Sequence, residues 1–575
     1  MALSHGAGVS FVRLRSDSNK LGMRRAGMRE NFWLNGRQDE LRLTLQYVPD
    51  QPTTDVDDRI ASTPVLFDAE IDAFKLAHSN LQTSSRTRAR STVLAANQGN
   101  VALSGFEHVS FYDQLFDGPY ATAGDTGNLY QLLAEKMAAR NPPQQGQGIP
   151  AAYTYLGQFL AHDMSYMKWN PDLLGPGLGG WSNARHMHAL DFDTIFGTEP
   201  ETAPRTSPWR ESGGSSLGRL HKCPAILDDA YDLPREDPNI GTHCCLDPRV
   251  DANLGLAQLH VLFVRFHQHL SETQGLNDAA SKTATRQHLQ TIVLMDYLPR
   301  IIPKNVYDKV MADGPLLVTS TPGNFLVPLE FALACFRFGH SMVQEIYSEW
   351  AIRYPPPLPV TSRIARLSAL LGYTSKGGQL KNGRLPFNWN QPWLNMIDDI
   401  GLNLPVTTSM ARPISASIQP DLSQLDASHF DQGLPSGPHS LAQRTLEKGA
   451  QLGLPSGQDL AAQAGLVGHF DVAAFLQTHA NEFDGLVGNQ HLCLSTPLWF
   501  YVLAEAETLG NGQLGPLGGR VVMETIVSAL AEAEDTILTR TAQGGFQRTS
   551  FLSLSAGGEP TRLSDIVALA NTGVL

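Results

Sequence analysis

The chain has 575 residues, long enough to bury a large core and, by length alone, to hold several domains. Its hydrophobic share of 42%, charged share of 17% and aromatic share of 8% exclude a disordered or fibrous protein. A net charge of −13, from 43 Lys+Arg against 56 Asp+Glu with no concentrated basic block, excludes a nucleic-acid partner.

In chain order, the opening stretch MALSHGAGVSFVRLRSDSNK lacks the apolar run of a signal peptide, and nothing later is apolar over the length needed to span a bilayer. The expected location is the cytoplasm, or outside the cell by a route that uses no leader. Residues 1–95 are weakly periodic and read as an N-terminal extension. Within them Ser84-Ser85-Arg86-Thr87-Arg88-Ala89-Arg90-Ser91 has the pattern of a solvated loop. Residues 96–575 read as a catalytic domain in which helical periodicity dominates. Leu129, Tyr130, Leu132, Leu133 and Met137 form one amphipathic stripe; Leu256, Leu259, Phe263, Val264, His267 and Leu270 form a longer one. Further helices are expected at 284–299, 327–348 and 520–540, with loops at 141–148, 199–216, 354–359 and 509–519. Long alternating strand runs are scarce. The fold class is therefore mainly α, with long connections and little β structure.

Several tempting signals carry no chemistry. Gly175-Pro176-Gly177-Leu178-Gly179-Gly180 matches a dinucleotide loop in spacing, but it contains a proline and leads into Trp181-Ser182-Asn183 where a helix is needed. The cysteines Cys223, Cys244, Cys245, Cys335 and Cys493 have neither metal-site nor redox spacing and read as ordinary thiols. His186 and His188, two positions apart, do not share a helix face, and His260 and His267 read as hydrogen-bonded core histidines.

The most informative stretch is Gly157-Gln158-Phe159-Leu160-Ala161-His162-Asp163. On a helix, Gln158 and His162 project from one face, while Asp163 turns roughly 100° away. One segment thus offers an amide and a proton acceptor to one side and a carboxylate to another. Three more segments bear on it. Asp247-Pro248-Arg249-Val250-Asp251-Ala252-Asn253 sets Arg249 just before a long apolar helix. In Phe336-Arg337-Phe338-Gly339-His340, Arg337 and His340 share a helical face. Asp191-Phe192-Asp193-Thr194 reads as a loop.

In this order along the chain, these segments resemble the animal-type haem peroxidases of the peroxidase–cyclooxygenase superfamily, particularly their bacterial members. The resemblance covers roughly residues 100–540 and includes Leu254–Glu272, Arg444–Gln458 and Gly515–Glu524. It implies a helical fold and a set of roles. His340 would be the proximal ligand of the haem iron. His162 would move a proton between the oxygens of hydrogen peroxide, Arg249 would stabilise the charge that develops as they part, and Gln158 would order distal water or an anion. Arg337 would meet a haem propionate. Asp163, Asp191 and Asp193 would hold a calcium ion that ties the distal helix to the later loop.

The chain also departs from that family. The two acids that esterify haem in mammalian members are Ala161 and Ala252 here, and the methionine beside the second is Asn253. Haem b is therefore expected to bind non-covalently and to be a weaker oxidant. Thr445 stands where the family has the asparagine that accepts the proximal histidine's second N–H. Arg337 stands where the cyclooxygenase-like branch has a radical-forming tyrosine. The resemblance implies a peroxidase, active in the response to oxidative stress. It would reduce hydrogen peroxide and oxidise small organic reductants, phenols or easily oxidised halides, through a ferryl intermediate. The alternatives are a haem-dependent fatty-acid dioxygenase, against which Arg337 speaks, and a haem-binding protein without catalysis. Gln158, His162 and Arg249 together speak against the latter.

Overall fold

A computed structural model describes residues 128–143, 148–170, 189–196, 247–272, 274–318, 325–347, 364–375, 393–398, 409–425, 440–549 and 561–570, with short stretches and single positions between them. Four strands before residue 67 are also described: Ser10–Leu14, Gly22–Gly27, Thr44–Val48 and Val65–Leu66, paired antiparallel in that order. The arginine-rich loop 84–91, the glycine-rich run up to Gly179, His186, His188, Cys223, Cys244, Cys245 and the expected loops at 199–216 and 354–359 lie outside the described residues.

The described part is mainly helical, as its periodicity requires. Two apolar helices make the centre: α7 (Leu498–Leu509), in which every residue from Leu498 to Ala506 is buried, and α8 (Pro516–Ala531). A helix apolar on all sides must be covered on all sides. Helix α5 (Lys304–Asp313) covers α8, while α6 (Leu441–Gln451) lies between α7 and α1 (Leu129–Ala139). Pro516 opens α8 at its first turn, and the buried carboxylate of Glu505 accepts the N–H groups of Leu517 (2.9 Å) and Gly518 (3.1 Å) there.

The second layer holds α2 (Ala152–Met164), α3 (Leu254–Glu272), α4 (Asp278–Ile292) and α9 (Leu563–Ala570). Helix α3 packs against α2, α4 and α9. The close approach of α2 and α3 depends on Gly255, where an added Cβ would come within 2.7 Å of the Tyr155 ring. Helix α4 begins at Asp278, capped by Asn277, and runs on through a π-helical turn, Val293–Tyr297, to Ile301. The wider turn carries Asp296, which accepts hydrogen bonds from Tyr153 Oη (2.6 Å) and the Leu563 N–H (2.8 Å), so it joins α2 to α9.

Two expected helices end differently. The 327–348 segment is broken into Leu329–Leu333, a 3-10 turn at Cys335–Phe338 and Gly339–Met342. Ala334 leaves the helical region with φ −131° and ψ −71°. The helix expected to run to 540 stops at Ala531, and Leu538–Arg540 pairs with Phe546–Arg548 as a hairpin. The loop expected at 509–519 shortens to the few residues between α7 and α8.

Candidate active site

A single cavity of about 390 Å³ collects the residues that the sequence singled out. Helix α2 supplies Gln158, Ala161 and His162; the turn before α3 supplies Arg249, Ala252 and Asn253; the broken segment supplies Arg337 and His340. Phe336 to His340 are five consecutive residues of this wall. A regular helix turns its side chains through all directions within four residues, and the 3-10 winding changes that distribution. Arg337 lies in the 3-10 turn and His340 in the α-helical turn that follows it, and both border the cavity.

His340 lies deep in the protein. Burial first, and the Arg337 charge second, push it down to about 3, so its imidazole is neutral across the physiological range. It packs edge-on against Trp499 (5.9 Å between ring centroids), whose Nε1 donates to the Arg337 carbonyl (3.2 Å). His340 Nδ1 has no hydrogen-bond partner among the described residues. The substitution expected at Thr445 does not fill that gap. Its hydroxyl donates to the Leu441 carbonyl (2.8 Å) within its own helix, and its side chain lines a separate small cavity. A hydroxyl one turn above a helical carbonyl finds that acceptor at hand, which the longer asparagine side chain does not require.

Arg337 is half-buried, donates from Nε to the Ala332 carbonyl (3.1 Å) and has no carboxylate partner among the described residues. Lys448 of α6 is pushed down to about 7 by burial and then by the charges of Arg337 and Arg444. Lys448 was not found from sequence, because its charge interaction with Arg337 joins elements far apart along the chain.

Arg249 is held more firmly than its sequence suggested. Its Nε and Nη2 donate to the Asp247 carboxylate (3.0 and 2.7 Å), Nη1 to the Ser165 carbonyl (2.7 Å), and Nη2 to the His162 carbonyl (2.7 Å). The guanidinium also lies 3.9 Å from the centroid of the Tyr166 ring. It therefore binds the carbonyl end of α2, where a cation complements the helix dipole. One Nη1 hydrogen remains of its five donors. Asp247, missed in the sequence, is the anchor of this arrangement.

Gln158 accepts a hydrogen bond at Oε1 from Asn253 Nδ2 (2.8 Å), while Asn253 Oδ1 accepts the Leu256 N–H (2.9 Å) at the start of α3. Tyr297 also borders the cavity, facing the backbone of Gly157, where an added Cβ would lie 2.4 Å from the phenolic oxygen.

The expected calcium ligands do not converge as a cation shell. Asp163 accepts the N–H groups of Phe192 (2.8 Å) and Thr194 (2.9 Å), one on each oxygen. Asp191 accepts the Glu534 N–H on one oxygen, and burial, with the charge of Asp163 adding to it, raises it to about 6. Asp193 opens the short helix Asp193–Phe196. Among the described residues no group of three or more His, Cys, Asp or Glu is placed to hold a metal ion. The tie expected of calcium is made by hydrogen bonds, which also hold Phe192 at a left-handed φ of 58°. Of the two core histidines, His267 Nδ1 meets Thr285 Oγ1 at 3.1 Å, whereas His260 Nδ1 has no hydrogen-bond partner among the described residues and burial drives its ring down to about 4.

The donor set fits haem. A neutral, orphaned imidazole, a half-buried guanidinium and apolar rings border one cavity. Residues 185–362 match the family described as animal haem peroxidase. The peroxidase mlt-7 of Caenorhabditis elegans is 30% identical over 167 residues, 28% of this chain; the match spans only 22% of that relative. Among solved structures, a fatty acid alpha-dioxygenase of Oryza sativa shares the fold, with a TM-score of 0.50 at 13% identity over 74% of this chain and 76% of that one. Peroxidase A of Dictyostelium discoideum superposes with a TM-score of 0.46 at 16% identity, over 70% and 82% of the two chains.

Proposed function

We propose, for a chain that belongs to the animal haem peroxidase family, that it is a haem-dependent oxidoreductase reducing hydrogen peroxide and oxidising small organic donors such as phenols, or easily oxidised halides. The observation that carries this reading is the shared cavity, which brings Gln158 and His162 to the same space as Arg337 and His340. Bound there, haem supplies an iron that accepts oxidising equivalents from peroxide and passes them on singly.

His340, neutral, would hold the iron, and Arg337 would hold a carboxylate of the group. Ala161 and Ala252 line the cavity and carry no carboxyl group, so these contacts would retain the group without ester bonds. His162 would take the proton from one peroxide oxygen and return it to the departing one. Gln158 would donate a hydrogen bond to the distal oxygen. Arg249 would act chiefly by fixing the end of α2, which carries His162, and would add its positive field to the cavity.

An absorption spectrum of haem-loaded protein, followed by acid–acetone extraction and a peroxide-dependent phenol assay, tests the reading. The expected results are a Soret band, an extractable pigment and turnover that falls roughly 100-fold or more in His162→Ala. Oxygen uptake with an unsaturated fatty acid is expected to be absent. A protein that takes up haem but oxidises no donor with peroxide would overturn the peroxidase reading.

A further inference from the structure

We infer that Asn253 is a positioning residue that locks the Gln158 amide with its NH2 group toward the cavity. The inference rests on the haem-site reading for its functional consequence, but its geometry is independent of haem. The logic follows from which atoms can donate. The Leu256 backbone at the first turn of α3 offers an N–H, so the Asn253 atom facing it must be the carbonyl oxygen (2.9 Å). The NH2 of Asn253 is thereby directed elsewhere, and it reaches Gln158 at 2.8 Å. Only the Gln158 oxygen can accept it. The Gln158 NH2 is left facing the cavity, whose wall Gln158 helps to form. An amide otherwise able to turn over is thus set in one sense by a helix cap two steps away.

The consequence is chemical. A distal amide fixed as a donor favours an acceptor: a small anion, or the oxygen of water or peroxide. Turned over, it would present a carbonyl, which repels an anion and has no hydrogen to give an oxygen acceptor.

Fluoride titration of the haem-loaded protein, followed through the absorption bands, tests this in a double-mutant cycle of Asn253→Asp and Gln158→Leu. Aspartate still caps α3 but has no hydrogen to give Gln158, so the amide is expected to turn over. Fluoride affinity should fall about tenfold or more in Asn253→Asp, with the thermal midpoint near that of the parent. In the Gln158→Leu background the same change should have little further effect. An equal loss in both backgrounds would mean that the new charge acts directly on fluoride, and would overturn the inference. A parallel cycle of Asn253→Ser and Gln158→Leu, read by urea unfolding without haem, checks the contact itself. Non-additive changes support it, and strictly additive ones overturn it even if no Soret band forms, an outcome that would separately refute the haem reading.

Discussion

Both oxygens of Asp247 face Arg249, and the pair is largely closed to solvent: the aspartate side chain is 2% exposed and the arginine 14%. Removing one member of a buried pair leaves the other charge uncompensated, a loss of about 3–5 kcal/mol. Asp247→Asn keeps the shape but removes the charge. It is expected to lower the unfolding free energy by about 3 kcal/mol, measured in urea, and to lower peroxide turnover as the end of α2 loosens. Unchanged stability and turnover would show that Arg249 is held by the two carbonyls alone. The sequence identified Gln158, His162, Arg249, Arg337 and His340 as companions, because type and order carried that information. Asp247 was visible two positions before Arg249, but that spacing does not announce a contact. Thr445 differs: its hydroxyl donates to a local carbonyl, which its place in the sequence does not announce.

Elements were legible where one face is apolar and obscured where the chain is buried on several sides. The stripe from Leu256 to Leu270 gave α3 nearly whole. The apolar segment from 327 looked like one helix because its periodicity cannot reveal a break at Ala334, which tertiary packing imposes. The junction of α7 and α8 contains a further feature that only the structure exposes. Burial raises Glu505 to about 7, against 4.5 for an unperturbed glutamate, despite the N–H groups it accepts from α8. Between those values the folded protein holds a proton that the unfolded chain has released. The contribution of Glu505 to stability is therefore full below pH 4.5 and is lost as the pH rises through about 7. At 1.36 kcal/mol per unit, the loss is about 3 kcal/mol. Glu505→Gln should remove it. Relative to the parent, the variant should gain about that amount between pH 5 and pH 8 in urea unfolding. Parallel pH curves for the two proteins would reject the raised value.

For the whole molecule, the cavity matters because its wall is assembled from Tyr112 through Leu441, with α2, the turn before α3 and the broken segment all contributing. A ligand gripped by parts so distant in sequence cannot be released by local fraying alone; its affinity belongs to the folded domain. Haem should therefore stabilise the entire described fold by mass action, by about 2.7 kcal/mol when free haem is a hundredfold above its Kd. The unfolding midpoint is expected to rise with haem concentration and keep rising after the pocket is filled, since only the folded state binds. Replacing His340 by alanine should flatten that dependence, and Arg337→Ala should weaken it through the unpaired carboxylate. Iron-free protoporphyrin separates the two contributions, because it offers carboxylates to Arg337 but no metal to His340. It should stabilise the parent and the His340→Ala variant alike. If it stabilises neither, while haem stabilises both the parent and His340→Ala to the same extent, the imidazole and the guanidinium are not the groups that grip it.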